Sequence, residues 1–170
     1  MLEKTKTITV RLAEQGDVDA VYALVVELAR ARGMMEKVVS SAADIARDGF
    51  GGDPAFEALL AEIDGRAVGL CLFFGSYSTW RGKRGLYVQD LCVAEDARGL
   101  GVGDRLLAEA AALAQTRGYA YLRLSVDDDN VKAQRFYQRT GLRHSLPEQI
   151  YIADDEAFAT LAARAKGEPA

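Results

Sequence analysis

The chain alternates apolar and polar residues in short runs, then shifts to a three-to-four spacing, and it makes this shift several times. "ITVRLA", Ile8 to Ala13, alternates and predicts a first strand. Val18, Val21, Val25 and Leu28 follow helical spacing; Asp17 is placed to cap that helix and Gly33 to stop it after about Arg32. Ser41 and Asp44 have capping-box spacing and predict a short second helix closed by Gly49. "FEALLAEI" favours helix by propensity. The Asp64-Gly65 pair that follows is a two-residue hairpin signal, and "RAVGLCLFF" is strand-like, so the pattern predicts a hairpin. A loop, "STWRGKRG", leads to an apolar strand from Leu86 to Val93. Val102, Leu106, Leu107, Ala110, Leu113 and Ala114 line one face of a helix that Gly118 ends. "AYLRLSV" predicts another strand, and "NVKAQRFYQRTG" a short helix stopped by Gly141. A last strand is expected around Gln149 to Ile152, then a terminal helix that frays. Nothing interrupts the pattern as a linker or repeat, so one α/β domain is expected over residues 1–170.

Composition adds mainly exclusions. A chain that is 49% hydrophobic and 27% charged has globular rather than disordered character. A net charge of -4 lacks the basic excess of a nucleic-acid binder, so no nucleic-acid partner is expected. "MLEKTKTITV" lacks a signal-peptide core, and the chain has no long apolar run, so a cytoplasmic location without membrane contact is expected. Cys71 and Cys92 fall in strand-like runs and read as buried thiols of a reduced protein. His144 has no cysteine or histidine nearby and reads as a loop residue; no metal site is expected.

The candidate chemistry begins at "DARGLGVGDRLL", residues 96–107, which places Gly99, Gly101 and Gly103 where a helix starts. Each glycine costs a helix about 1 kcal/mol relative to alanine. A strand, a glycine-rich turn and a helix N-terminus together bind anions: the first N–H groups have no helical partner, the dipole favours negative charge, and glycine lets the backbone approach a phosphate. The competing reading is a turn that serves chain geometry alone. No Lys-Ser/Thr pair follows Gly103, which excludes a P-loop. The dinucleotide fingerprint fails as well, because its third glycine falls on Asp104 or Leu106; Asp127 only mimics the ribose-binding acid.

Arg98-x-x-Gly101-x-Gly103 instead resembles the acetyl-coenzyme A signature of the GNAT superfamily of N-acetyltransferases. "NVKAQRFYQRTGL" resembles the family's downstream helix, with Asn130, Ala133, Phe136, Tyr137 and Gly141 in the matching places. "DIARDGFGGDP" and "YSTWRGKRGLYVQDLCV" resemble the diamine (spermidine/spermine) N-acetyltransferase-like branch, and the likeness runs over roughly residues 8 to 143.

This resemblance implies an α/β fold with a mixed, mostly antiparallel central sheet flanked by helices. Its fourth and fifth strands, Leu86–Val93 and Tyr121–Val126, would splay around the pantetheine arm. It implies an acetyl-CoA-dependent enzyme that moves acetyl directly to a primary amine of a small molecule, a diamine, a polyamine or an amino-acid-like amine, and releases coenzyme A. Homodimers are usual in the family. The residues carried over for the coenzyme are Arg98, Gly99, Leu100, Gly101, Val102 and Gly103 around the pyrophosphate, and Leu91 and Val93 beside the pantetheine amides. A backbone N–H near Cys92 would stabilise the oxyanion. Asn130 and Tyr137 lie seven apart and so share a helix face, which would look to the ligand while Phe136 turns into the core. Tyr137 would protonate the leaving thiolate, and Asp90 is the second catalytic candidate.

Trp80, Gln89, Asp90 and Glu36 are the expected substrate-binding residues. Here the chain departs from the branch. Gln89-Asp90 stands where a Glu-Asp pair is typical, and an amide is no base. Ala31, Arg32 and Gly33 stand near the family's tyrosine and glutamate. Arg81, Lys83 and Arg84 form a basic loop, either simply solvated or facing a substrate carboxylate or coenzyme phosphate. The alternative from another class is a catalytically weak acyl-CoA-binding or regulatory module of the same fold.

Overall fold

The computed structural model describes residues 7–145 and 150–164. They fall into two compact units, Met1–Asp128 and Asp129–Ala170.

The first unit is a five-stranded sheet in sequential order. Its strands are β1 (Ile8–Leu12), β2 (Glu57–Ile63), β3 (Arg66–Ser78), β4 (Lys83–Val93) and β5 (Leu122–Leu124). Strands β1 to β4 pair antiparallel, and β5 joins β4 in parallel. Helices α1 (Val18–Ala31) and α2 (Ala42–Phe50) connect β1 to β2, and α3 (Val102–Thr116) makes the crossover that a parallel β4–β5 pair requires. The ambiguous "FEALLAEI" segment is strand β2. Asp64 and Gly65 both take positive φ, 52° and 77°, as a two-residue hairpin turn demands.

The two faces of the sheet carry different helices. A side chain on Gly69 would meet Val102 at 2.8 Å and Leu106 at 2.9 Å, so α3 lies against the Gly69 face. The Cys92 thiol, paired through Leu70 and therefore on the opposite face, donates to the Leu24 carbonyl of α1 at 3.4 Å. Between them Leu60, Val68, Leu70, Phe73, Leu86 and Leu106 are fully buried.

Several expectations are corrected. Asp17 stands at the N-cap of α1 but its side chain makes no capping bond to the helix. Its carboxylate accepts from the Glu14 backbone N–H at 2.7 Å and pairs with Arg11, which also reaches Glu62. Gly49 lies inside α2; a side chain there would press on the Phe56 ring at 2.5 Å. The capping box of Ser41 and Asp44 is present as expected. Half of the "STWRGKRG" loop is strand, leaving Thr79 to Gly82 as the turn. The "AYLRLSV" strand shrinks to three residues.

The second unit contains α4 (Val131–Arg139) and α5 (Asp155–Ala163). None of its described residues is buried. Phe136, expected in the core, is half-buried. It makes an edge-to-face contact with Tyr137 at 5.3 Å and carries the Arg139 guanidinium at 5.4 Å. Ile150 to Ile152 form no strand, and Gln149 lies outside the described residues.

Candidate functional site

Strand β4 carries most of the expected site, and its pairing explains the site's shape. Against β3, Phe73 pairs with Val88 and Leu72 with Asp90, so Gln89 is the extra residue of a β-bulge. Bulges bend a strand and increase its twist. Against β5, the ladder stops at Val88↔Leu124, the level of the bulge. Among the described residues the β4 edge from Gln89 to Val93 therefore has no strand partner on that side, as expected of splayed strands.

The bulge also decides how the Gln89-Asp90 pair is presented. Gln89 is exposed, whereas Asp90 is half-buried on the α1 face with Leu70, Leu72 and Cys92. Burial raises the Asp90 carboxyl above its ordinary range, and among the described residues it has no salt bridge or side-chain hydrogen bond to oppose this. A carboxyl held in this way is a proton acceptor poised nearer neutral pH than a solvated one. Leu91 and Val93 are half-buried, and Cys92 is buried. The Cys71 and Cys92 thiols are each pushed up to about 12, mainly by burial, which leaves neither as a thiolate nucleophile.

The glycine turn follows β4 directly. Arg98 donates from Nε to the Val93 carbonyl at 3.2 Å, tying the turn to the strand end. Gly99 and Gly101 take φ of 79° and 83°, a left-handed conformation that side chains disfavour. Chain geometry thus explains these two glycines. It does not explain Gly103, which lies in regular helix in the first turn of α3. No side chain caps this helix at Gly101, so its first N–H groups face outward as an anion-binding terminus would. Leu100 is exposed on the turn and Val102 is buried beneath it.

The remaining candidates are more dispersed. Trp80 is fully exposed at the β3–β4 turn. Lys83 and Asp90 lie seven positions apart on β4, a span of about 24 Å less what the bulge removes. Glu36 is exposed on a short 3₁₀ turn, Met35–Lys37. Arg32 is engaged with Asp127 at 3.2 Å. In the second unit, the Asn130 side chain accepts from the Ala133 N–H at 3.2 Å and so caps α4, while Tyr137 is half-buried two turns on. His144 is exposed in a loop.

Residues absent from the sequence reading complete the α1 face. Tyr87 stacks on Phe74 with ring centroids 5.0 Å apart. Its hydroxyl shares a 2.9 Å hydrogen bond with Ser125, just past the end of β5. Arg123, the β5 partner of Tyr87, lies with its guanidinium 5.6 Å from that ring. The available signal was the alternation in "LYVQDLCV" and "LRLS", but the bulge conceals that Tyr87 and Asp90 share a face.

A mixed sheet whose fourth strand loses its neighbour halfway, followed by a glycine turn and a helix without a side-chain cap, is the α/β architecture that the resemblance to GNAT acetyltransferases implies. The profile of the acetyltransferase (GNAT) family matches residues 30–142, and the chain belongs to that family. It is 34% identical over 142 residues to the thialysine N-epsilon-acetyltransferase of Bos taurus, covering 79% of this chain and 83% of that protein. It is 35% identical over 114 residues to the spermidine/spermine N(1)-acetyltransferase-like protein 1 of Homo sapiens, covering 63% of this chain and 16% of that protein. An integron cassette protein from V. cholerae shares the fold, with a TM-score of 0.78 at 21% identity over 91% of this chain and 97% of that one. The chain is accordingly an N-acetyltransferase, of a family that uses acetyl-CoA. Among the described residues no helix is long and apolar enough to cross a membrane.

Proposed function

We propose that this protein transfers the acetyl group of acetyl-CoA to a primary amine of a small molecule, with Asp90 as proton acceptor and Tyr137 as proton donor. The observation that carries this reading is the continuous run of open β4 edge, left-handed glycines and uncapped α3 terminus. Much of what the coenzyme needs is present: N–H groups from Gly99 to Gly103 for the pyrophosphate, the Arg98 N–H being turned to the Glu95 carbonyl at 3.3 Å, and the β4 edge at Leu91 and at the Val93 N–H for the pantetheine amides, the Val93 carbonyl being held by Arg98. The N–H near Cys92 is assigned to the oxyanion, and Asn130 and Tyr137 to the pantetheine end. When bound, acetyl-CoA supplies an activated thioester, so that a C–S bond is exchanged for a C–N bond and coenzyme A leaves as a thiol.

The residues of this chain move the protons. An alkylamine has a pKa near ~10.4 and arrives mostly as ammonium. The Asp90 carboxylate first attracts that charge and then accepts the proton that must be lost before nitrogen attacks. Tyr137 Oη gives a proton to sulfur as the thiol departs. Gln89 and Glu36 flank the amine as neutral and anionic neighbours, and Trp80 is assigned only to the far end of a long substrate. The names of the relatives, a thialysine and a spermidine/spermine enzyme, support a diamine or amino-acid-like amine.

We further assign one domain over residues 1–170, a homodimeric state and a cytoplasmic location. The family match crosses the boundary between the two units, which supports the single domain. Ile150, Tyr151 and Ile152 are 71%, 88% and 77% exposed, an apolar run that a second copy would cover. The test is thiol release from acetyl-CoA across a panel of polyamines, diamines and basic amino acids. Amine-dependent release with N-acetylated product is expected; coenzyme binding without any release supports the non-catalytic module instead.

A further inference from the structure

Helix α1 reaches the end of β4 and the start of the glycine turn with one face. The Cys92 thiol donates to the Leu24 carbonyl at 3.4 Å, and the Glu95 backbone N–H donates to the Glu27 carboxylate at 2.9 Å. Leu24 and Glu27 are three apart and so lie on the same side of the helix. Glu27 is half-buried there. Glu95 opens the short 3₁₀ turn Glu95–Ala97, which joins β4 to the glycines. The first N–H groups of such a turn have no partner within it. The other amides of this stretch bond to backbone: Ala94 N–H to the Val68 carbonyl at 2.8 Å, Ala97 N–H to the Ala94 carbonyl at 2.9 Å and Arg98 N–H to the Glu95 carbonyl at 3.3 Å. Among the described residues one other side chain reaches this stretch from outside it: Arg66, which bonds Asp96 at 2.6 Å, with both side chains more than half exposed.

Resting on the coenzyme assignment above, we infer that Glu27 is a positioning residue for the coenzyme. By holding the Glu95 N–H it fixes the path of the turn whose amides, from Gly99 to Gly103, meet the pyrophosphate. Three arguments lead there. First, a site made of backbone N–H groups binds well only if those groups are aimed before the ligand arrives, and outer hydrogen bonds supply that order. Glycine has more conformations to lose than any other residue, so Gly99 and Gly101 cannot order the turn by themselves. The restraint comes from the flank, where Arg98 Nε bonds the Val93 carbonyl and Glu27 bonds the Glu95 N–H. Second, a carboxylate that accepts from a backbone N–H makes a charge-assisted bond, the stronger kind, whereas an exposed ion pair such as Arg66–Asp96 contributes little. Third, a carboxylate repels a pyrophosphate, so any help Glu27 gives the coenzyme runs through geometry and not through charge. A neutral acceptor of the same shape should therefore serve in its place.

The donors that isolate this role are acetyl-CoA and S-acetylpantetheine, the same thioester without its phosphates. Thiol release is measured with both in the presence of an accepted amine, and coenzyme A affinity by calorimetry. Glu27→Ala should lower kcat/KM for acetyl-CoA about tenfold relative to S-acetylpantetheine, the scale of one hydrogen bond to a charged acceptor. The loss should fall in KM for acetyl-CoA and in coenzyme A affinity, with kcat at saturation within about twofold of wild type. Glu27→Met keeps the bulk of the side chain without its oxygens, and it provides the same readout if the alanine variant does not fold. Glu27→Gln keeps an acceptor oxygen and removes the charge, so it should stay within about threefold of wild type. Arg66→Gln should change the donor ratio by less than about twofold. Equal losses with both donors, or an unchanged coenzyme A affinity once the Glu95 N–H has lost its acceptor, overturns this inference alone. So does a Glu27→Gln variant as impaired as Glu27→Ala, or an equal loss in Arg66→Gln. A wild-type protein that binds no coenzyme A overturns the coenzyme assignment and this inference with it.

Discussion

The sheet unit and the C-terminal segment of this chain are built on different terms. In the first, α1, α2 and α3 enclose buried side chains drawn from all three helices and from β2, β3 and β4. In the second, α4 and α5 contribute no buried residue, and Ile150, Tyr151, Ile152, Phe158 and Leu161 are all more than half exposed. The machinery proposed above is divided the same way. Asp90, the open edge and the glycine turn stand on the packed unit, while Asn130 and Tyr137 stand on α4. A site that must hold a phosphate at fixed geometry benefits from a rigid base. A proton donor on a thinly packed helix depends on what covers that helix.

The largest expected effect probes this division directly. Tyr137→Phe keeps the ring that meets Phe136 and removes only the hydroxyl. If the hydroxyl protonates the departing sulfur, kcat falls by ~10²–10⁴ while coenzyme affinity stays close to wild type. Steady-state kinetics with calorimetric coenzyme A binding check both halves. A near-normal kcat removes Tyr137 from the mechanism and leaves α4 a structural role.

Much of this contrast was legible in the sequence, and the exceptions share a cause. The glycine turn, the helix stops at Gly33, Gly118 and Gly141 and the Asp64-Gly65 hairpin are local signals, and each appears where the pattern puts it, whereas Gly49 falls short of a stop, inside α2. The bulge at Gln89 is not local, because it exists only in the register between β3 and β4. Without it, strict alternation leaves open which of Gln89 and Asp90 faces the α1 side, and it puts Tyr87 on the opposite face from Asp90. The short β5 and the absent strand at Ile150 to Ile152 fail for a similar reason: strand-like residues form strands only where a partner edge exists. Phe136 followed helical periodicity correctly, but periodicity does not say that a core lies beneath the face it defines.

A second comparison sets one leucine in each region side by side. Leu70 is fully buried on β3 and Leu161 is 54% exposed on α5. Leu70→Ala should lower the unfolding free energy by about 2–5 kcal/mol through lost burial and the cavity left behind. Leu161→Ala should cost no more than about 0.5 kcal/mol in an isolated chain. Denaturant titrations at two protein concentrations decide the matter. If Leu161→Ala proves costly, and more so in concentrated than in dilute solution, a second copy covers the segment and the contrast belongs to the single chain alone.

The smallest expected effect separates the two neighbours at the bulge. Asp90 has its carboxyl raised by burial from the ordinary 3.8, so the native protein binds its proton more tightly than the unfolded chain does. In the window between 3.8 and the raised value, stability therefore falls as pH rises, because the fold must carry a charge it disfavours. Activity runs the other way: a proton acceptor must be ionised, so kcat/KM falls as pH drops through the raised value. Asp90→Asn should lose both effects, removing that acid limb of the rate profile and gaining slightly in stability at neutral pH. Gln89→Glu adds a carboxylate next to Asp90 at an exposed position. Like charge raises a neighbouring carboxyl further, so the acid limb should move up while polyamine turnover changes by less than about threefold, since solvent screens the new charge. A tenfold gain for spermidine in Gln89→Glu, with the acid limb unmoved, reverses the assignment and makes position 89, not 90, the place where the amine is read.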